Sequence, residues 1–131
     1  MGCGKLWLGV VFGFVALVVA AGAARLPGSS ASKGPREIHL IARDMTFYIE
    51  GDETPNPTIR LRAGEDVRLT LRNEDPGMDH DLAIRAWNVA TRLLEGKARD
   101  AIVFRVPDAR GSEVYACTPH AMMMRGTIVV E

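Results

Sequence analysis

From residue 37 onward, hydrophobic and polar positions alternate. Ile38, Leu40 and Ala42 are interleaved with Glu37, His39 and Ile41; Ile59 and Leu61 with Arg60 and Arg62; Val67, Leu69 and Leu71 with Arg68, Thr70 and Arg72. Successive side chains of an extended strand point to opposite faces, so this alternation predicts half-buried strands. Further strands are predicted over 45–50, 80–85, 101–106, 113–117 and 126–130. Turn-forming groups separate them at Gly51-Asp52, Pro55-Asn56-Pro57, Ala63-Gly64-Glu65, Pro76-Gly77 and Arg110-Gly111. Only 89–97 reads as a helix. Many short strands divided by turns predict an all-β domain, a two-sheet Greek-key sandwich or barrel.

The beginning of the chain has a different pattern. Leu6 to Ala24 is a run of nineteen uncharged residues between Lys5 and Arg25. Such a run predicts a hydrophobic helix, acting over 1–25 either as a signal peptide or as an N-terminal transmembrane anchor. Ala21-Gly22-Ala23 offers a small-x-small cleavage site, while about 20 apolar residues suffice to span a bilayer. Both readings place the remainder in the periplasm or another extracytoplasmic space, secreted or held to the membrane. Residues 26–36 are rich in Gly, Ser and Pro and read as a flexible linker. The folded domain is expected over 37–131. Cys3 precedes the apolar run, and Met1-Gly2-Cys3 is a poor match to a myristoylation signal because Leu6 stands where Ser or Thr is required.

Charge narrows the range of partners. The formal net charge of the chain is zero. All sixteen carboxylates but only twelve of the sixteen basic side chains lie from residue 37 on, giving the domain a net charge of −4. No basic run appears, which argues against nucleic acid as a partner.

The densest chemistry is in the segment Tyr115-Ala-Cys117-Thr-Pro-His120-Ala-Met-Met-Met124-Arg-Gly. It gathers a thiolate, an imidazole and thioethers. A thiolate, two imidazoles and a weak axial thioether form the ligand set of a blue-copper site, and His80 can supply the second imidazole. Cu(I) favours soft sulfur and Cu(II) favours nitrogen and oxygen, so a fixed intermediate geometry suits both. His80 also stands at the start of a predicted strand after a polar loop, a rim position where functional residues concentrate. Cys117 has no disulfide partner within the exported part, because Cys3 lies on the other side of the apolar run. His39 falls on the polar face of its strand and is expected to be solvated.

These residues resemble the cupredoxins, the small blue-copper proteins that include plastocyanin, pseudoazurin, amicyanin and azurin. The resemblance covers essentially all of 37–131 and rests on three segments. Phe47 with the stretch from Pro57-Thr58-Ile59 to Val67 resembles the early strands, 73–82 resembles the first-histidine loop, and 115–130 resembles the ligand loop with its closing strand. Cys117-Thr-Pro-His120 is the most specific of them. The resemblance implies a two-sheet Greek-key sandwich holding one type 1 copper on His80, Cys117 and His120. For the axial ligand, the amicyanin spacing selects Met123, whereas the azurin spacing and the Arg125-Gly126 register select Met124, which is preferred. Met122 is assigned to an apolar surface around the His120 edge. Asp81 stands where plastocyanin-like members usually carry asparagine. It is expected to accept hydrogen bonds from Thr118, tie the two ligand loops together and lower the reduction potential.

The function implied is the carriage of single electrons between redox partners outside the cytoplasmic membrane. No catalysis is expected, since four protein ligands leave no position open for substrate. Electrons would pass through the His120 edge, framed by Ala121 and Met122. A c-type cytochrome or an oxidase subunit with a basic rim would fit the acidic domain, and the N-terminal segment would contact the membrane. A periplasmic copper carrier or chaperone using the same Cys/His/Met loop is the alternative, favoured by the methionine run. An oxidase subunit fits less well. A binuclear copper centre needs a second cysteine four residues before Cys117, where Glu113 stands, and multicopper enzymes need histidines beyond His39, His80 and His120.

Overall fold

A computed structural model describes residues 34–131, together with Met1, Gly2 and Gly4. The predicted N-terminal helix and most of the linker lie outside the described residues. Among those described, no helix is long and apolar enough to cross a membrane.

The described residues form nine strands: β1 (Arg36–Arg43), β2 (Thr46–Ile49), β3 (Ile59–Leu61), β4 (Asp66–Asn73), β5 (Ala83–Ile84), β6 (Val89–Ala90), β7 (Arg99–Arg105), β8 (Gly111–Ala116) and β9 (Arg125–Val130). They make two sheets, with strand orders β2-β1-β4-β7 and β3-β9-β8-β5-β6. The β1–β4 and β3–β9 pairs are parallel and the others antiparallel. Burial follows the sequence alternation. In β4, Val67, Leu69, Leu71 and Asn73 are buried while Asp66, Arg68 and Arg72 are exposed. The inner faces of the sheets share one core that includes Leu40, Phe47, Leu61, Leu69, Leu82, Tyr115 and Ile128. Apolar area removed from water contributes about 25 cal/mol per Å², so this shared core is what holds the sheets face to face.

Two predicted elements differ. The helix expected over 89–97 is absent. Asn88 adopts a left-handed conformation (φ 52°) that ends the single 3-10 turn Arg85–Trp87. Val89–Ala90 then pairs with β5, and Leu94 forms an isolated bridge with His80. Adjacent Leu93 and Leu94 are 54% and 2% exposed, so the apolar run that imitates helical spacing has no common buried stripe. The strand expected over 80–85 is shortened to Ala83–Ile84, because His80 is confined to that bridge and Arg85 begins the 3-10 turn.

One glycine is required by packing. A Cβ on Gly126 would overlap the Tyr115 ring. The Tyr115 hydroxyl donates to the Pro57 carbonyl at 2.6 Å, and its ring meets Phe47 at a 5.5 Å centroid distance. β9 therefore approaches β8 over a tyrosine held at its hydroxyl and packed at its ring, two residues before Cys117.

Candidate metal centre

Two loops at one end of the sandwich carry the candidate ligands. The first leaves β4 at Asn73, whose buried side chain shapes it. Asn73 Nδ2 donates to the carbonyls of Met78 (2.7 Å) and Leu94 (2.9 Å), and Oδ1 accepts the Asp75 N–H (2.9 Å). His80 then exchanges both backbone hydrogen bonds with Leu94, at 3.0 and 2.8 Å. Its position is thus set by backbone pairing on the rim of the sheet.

The second loop joins β8 to β9 and is closed by Cys117 N–H donating to the Met124 carbonyl at 2.9 Å. Inside it, the His120 N–H donates to Cys117 O, and the N–H groups of Met123 and Met124 both donate to His120 O. Asn56 Nδ2 donates to the Met123 carbonyl at 3.1 Å. Asn56 in turn exchanges hydrogen bonds with the Phe47 backbone through its own N–H and its Oδ1. The ligand loop is braced from the opposite sheet.

The two loops bring His80, Cys117 and His120 together, with one ligand atom of each within 4.8 Å of the others. Nδ1 of His80 lies 3.7 Å and Nδ1 of His120 3.5 Å from Cys117 Sγ. The imidazoles are edge to face, with centroids 5.1 Å apart. His80 and Cys117 are fully buried, while His120 is half-buried at the surface. Burial pushes the Cys117 thiol pKa up, partly offset by the backbone N–H groups of Asp81 and His120. The metal-free site therefore favours a neutral thiol, and a bound metal would displace its proton, since a coordinating thiol is deprotonated.

Met124 is fully buried in the core cluster that contains Cys117. Met123 and Met122 are 57% and 90% exposed. The Thr118 backbone N–H donates to Asp81 Oδ1, joining the two loops; the contact comes from the main chain of Thr118. His39 is exposed on the outer face of β1.

One residue of the site escaped sequence reasoning. Asp75 Oδ2 accepts from His80 Nε2 at 2.9 Å. With the proton on Nε2, the Nδ1 lone pair is the one that faces Cys117. Burial pushes the Asp75 carboxyl up, but the N–H groups of Asp44 and Met45 and the His80 ring outweigh it, holding the carboxyl below its ordinary value. In the sequence Asp75 is one acid among several in a polar loop, and no spacing marks it as a histidine partner.

The donor set fits a copper ion: two imidazole nitrogens and one sulfur converge, with a buried thioether on the same loop. No family model and no curated protein matches the sequence. Solved structures do. Auracyanin A, a "blue" copper protein from the green thermophilic photosynthetic bacterium Chloroflexus aurantiacus, is 18% identical over 75% of this chain and 100% of its own, with a TM-score of 0.59. Rusticyanin from Thiobacillus ferrooxidans is 18% identical over 72% of this chain and 76% of its own, with a TM-score of 0.52. The multicopper oxidase McoA from the hyperthermophile Aquifex aeolicus is 14% identical over 73% of this chain but 26% of its own, with a TM-score of 0.60. At these identities the likeness establishes the two-sheet cupredoxin-like fold of residues in the domain.

Proposed function

We propose that this domain carries single electrons on one copper ion held by His80, Cys117, His120 and Met124. The observation that carries the reading is the convergence of two imidazole Nδ1 atoms on a buried thiol, 3.5 and 3.7 Å away, on loops braced by hydrogen bonds. Copper, when bound, supplies a one-electron couple. The chain supplies a fixed donor set: His80 is locked by the Leu94 bridge and the Asp75 carboxylate, Cys117 by its bond to the Met124 carbonyl, and His120 by the turns it closes. Little need move when the charge changes. Met124 is preferred to Met123 as the axial ligand because it is buried beside Cys117, whereas Met123 faces solvent.

Half-exposed His120 provides the route for electrons, and the neighbouring Met122 offers an apolar contact surface. A net charge of −4 on the domain suits a partner with a basic rim, such as a c-type cytochrome or an oxidase subunit, in a small transient interface. The apolar run 6–24 supports a location outside the cytoplasmic membrane, with that segment as its anchor or export signal. Four protein ligands leave no open position, so the domain is not an enzyme by itself. A second reading, a periplasmic copper carrier, has one observation in its favour: Met122 and Met123 are exposed beside the site and could exchange Cu(I).

The test is the visible absorption spectrum of the full-length protein loaded with Cu(II), beside Cys117→Ser. An intense thiolate-to-copper band, bleached reversibly on reduction and absent from the variant, is the expected result. Copper bound without that band, or only as Cu(I), would move the carrier reading to first place.

A further inference from the structure

The carboxylate that locks the His80 ring is itself held in an unusual way. Asp75 is 9% exposed, and its two oxygens make three contacts. Oδ1 accepts the Asp44 N–H at 2.7 Å, and Oδ2 accepts both the Met45 N–H at 3.2 Å and His80 Nε2 at 2.9 Å. Asp44 and Met45 are the two residues of the turn between β1 and β2, and both have left-handed backbones, with φ of 51° and 57°. A two-residue hairpin of this kind is ordinarily built from Asn and Gly, which tolerate positive φ. Here Asp and Met hold that conformation, and the arrangement points two successive N–H groups at one carboxylate. Such paired N–H groups form an anion-binding concavity. The turn thereby holds an acid whose remaining lone pair meets the candidate ligand His80.

Resting on the copper reading, we propose that Asp75 is a positioning residue for the metal centre. The β1–β2 turn aims its carboxylate at Nε2 of His80, which keeps the proton on that nitrogen and the Nδ1 lone pair toward Cys117. Its negative charge also favours Cu(II) over Cu(I). A metal-ligating histidine usually donates its second N–H to some acceptor. A backbone carbonyl would orient the ring equally well, so the choice of an anion adds a charge to the ligand set. Together with Asp81, which accepts from the Thr118 N–H, Asp75 makes a pair of carboxylates, one on each side of His80 in the sequence.

Two readouts separate orientation from charge. In the metal-free full-length protein, under conditions where the ring is neutral, long-range proton–nitrogen NMR of the His80 ring should show Nε2–H alone. Asp75→Ala should populate both tautomers. An Nδ1–H tautomer in the parent protein, or an unchanged ring in Asp75→Ala, would overturn the positioning role whether or not copper binds. In the copper-loaded protein, Asp75→Asn removes the charge and keeps one oxygen to accept from His80 Nε2 and the Met45 N–H, at the loss of the hydrogen bond from the Asp44 N–H. The ratio of Cu(II) to Cu(I) dissociation constants should rise about tenfold, which is about 59 mV upward in potential for a one-electron couple. An unchanged potential with the blue band intact would overturn the charge effect and leave the copper reading standing. Absence of the band from the parent protein would overturn the copper reading instead. Should either Asp75 variant fail to fold, the same substitution beside Asp44→Gly, which removes the strained Cβ from the exposed turn residue, restores the comparison.

Discussion

The division of labour among neighbouring side chains is sharp in the ligand loop. Met122, Met123 and Met124 are chemically identical, yet their exposures of 90%, 57% and 0% give them different roles. We expect Met123→Leu to leave the copper spectrum and potential unchanged. Met124→Leu should raise the potential, because a weak axial thioether is one of the levers on a blue-copper couple; spectroelectrochemistry of the two variants checks both. Asp81→Asn should also raise the potential, since it removes a negative charge beside the site while an amide oxygen can still accept the Thr118 N–H. A value unchanged or lower in Asp81→Asn would remove that carboxylate from the account. The sequence identified Cys117 and His120 through their spacing, and Asp81 through its place after His80. Asp75 was illegible because Asp44 and Met45 are brought to it only by the approach of the β1–β2 turn to the β4 loop, and because a separation of five residues in a loop does not mark it as a partner of His80.

Strands β8 and β9 meet the loop through Tyr115 and Gly126, and this contact sets how closely the closing strand can lie. Gly126→Ala would drive a methyl group into the Tyr115 ring. An overpacking cost of about 1–3 kcal/mol is expected, measured as a lower denaturant midpoint with an unchanged slope. Tyr115→Phe leaves the buried Pro57 carbonyl without its 2.6 Å partner, and should cost about 1–3 kcal/mol by the same assay. Period-two alternation made β1, β3 and β4 readable, because each has one face on the core. It failed between residues 80 and 97. There the chain makes two two-residue strands, a 3-10 turn and an isolated bridge; the strands and the bridge depend on cross-strand hydrogen bonds, and only the turn is closed locally, by Asn88 N–H donating to the Arg85 carbonyl.

Acid should weaken the whole domain. Asp75, Asp52 and Asp100 all have carboxyl groups held below their ordinary values: Asp75 by hydrogen bonds that outweigh burial, Asp52 by the Thr54 hydroxyl and N–H, Asp100 chiefly by the Arg92 N–H. A carboxyl that is more acidic folded than unfolded stabilises the native state above its unfolded pKa, about 3.9 for Asp. That contribution is lost as pH falls through the lower folded values. Denaturant unfolding of the metal-free protein should show a stability plateau near neutral pH and a decline beginning at about pH 5. Asp75→Asn should flatten part of that decline. A decline of the same size in the variant would show that Asp75 is not among its sources.

Local chemistry was enough to read an all-β domain from alternation and a copper-type donor set from Cys117, His120 and the methionine run, because side-chain period and ligand softness are properties of residues and near neighbours. Only the folded chain decided which methionine is buried, how His80 is brought to Cys117 from 37 residues away, and which acid holds its ring. Those outcomes depend on how two sheets pack and where their end loops meet, and packing of that kind joins residues whose separation in sequence carries no signal.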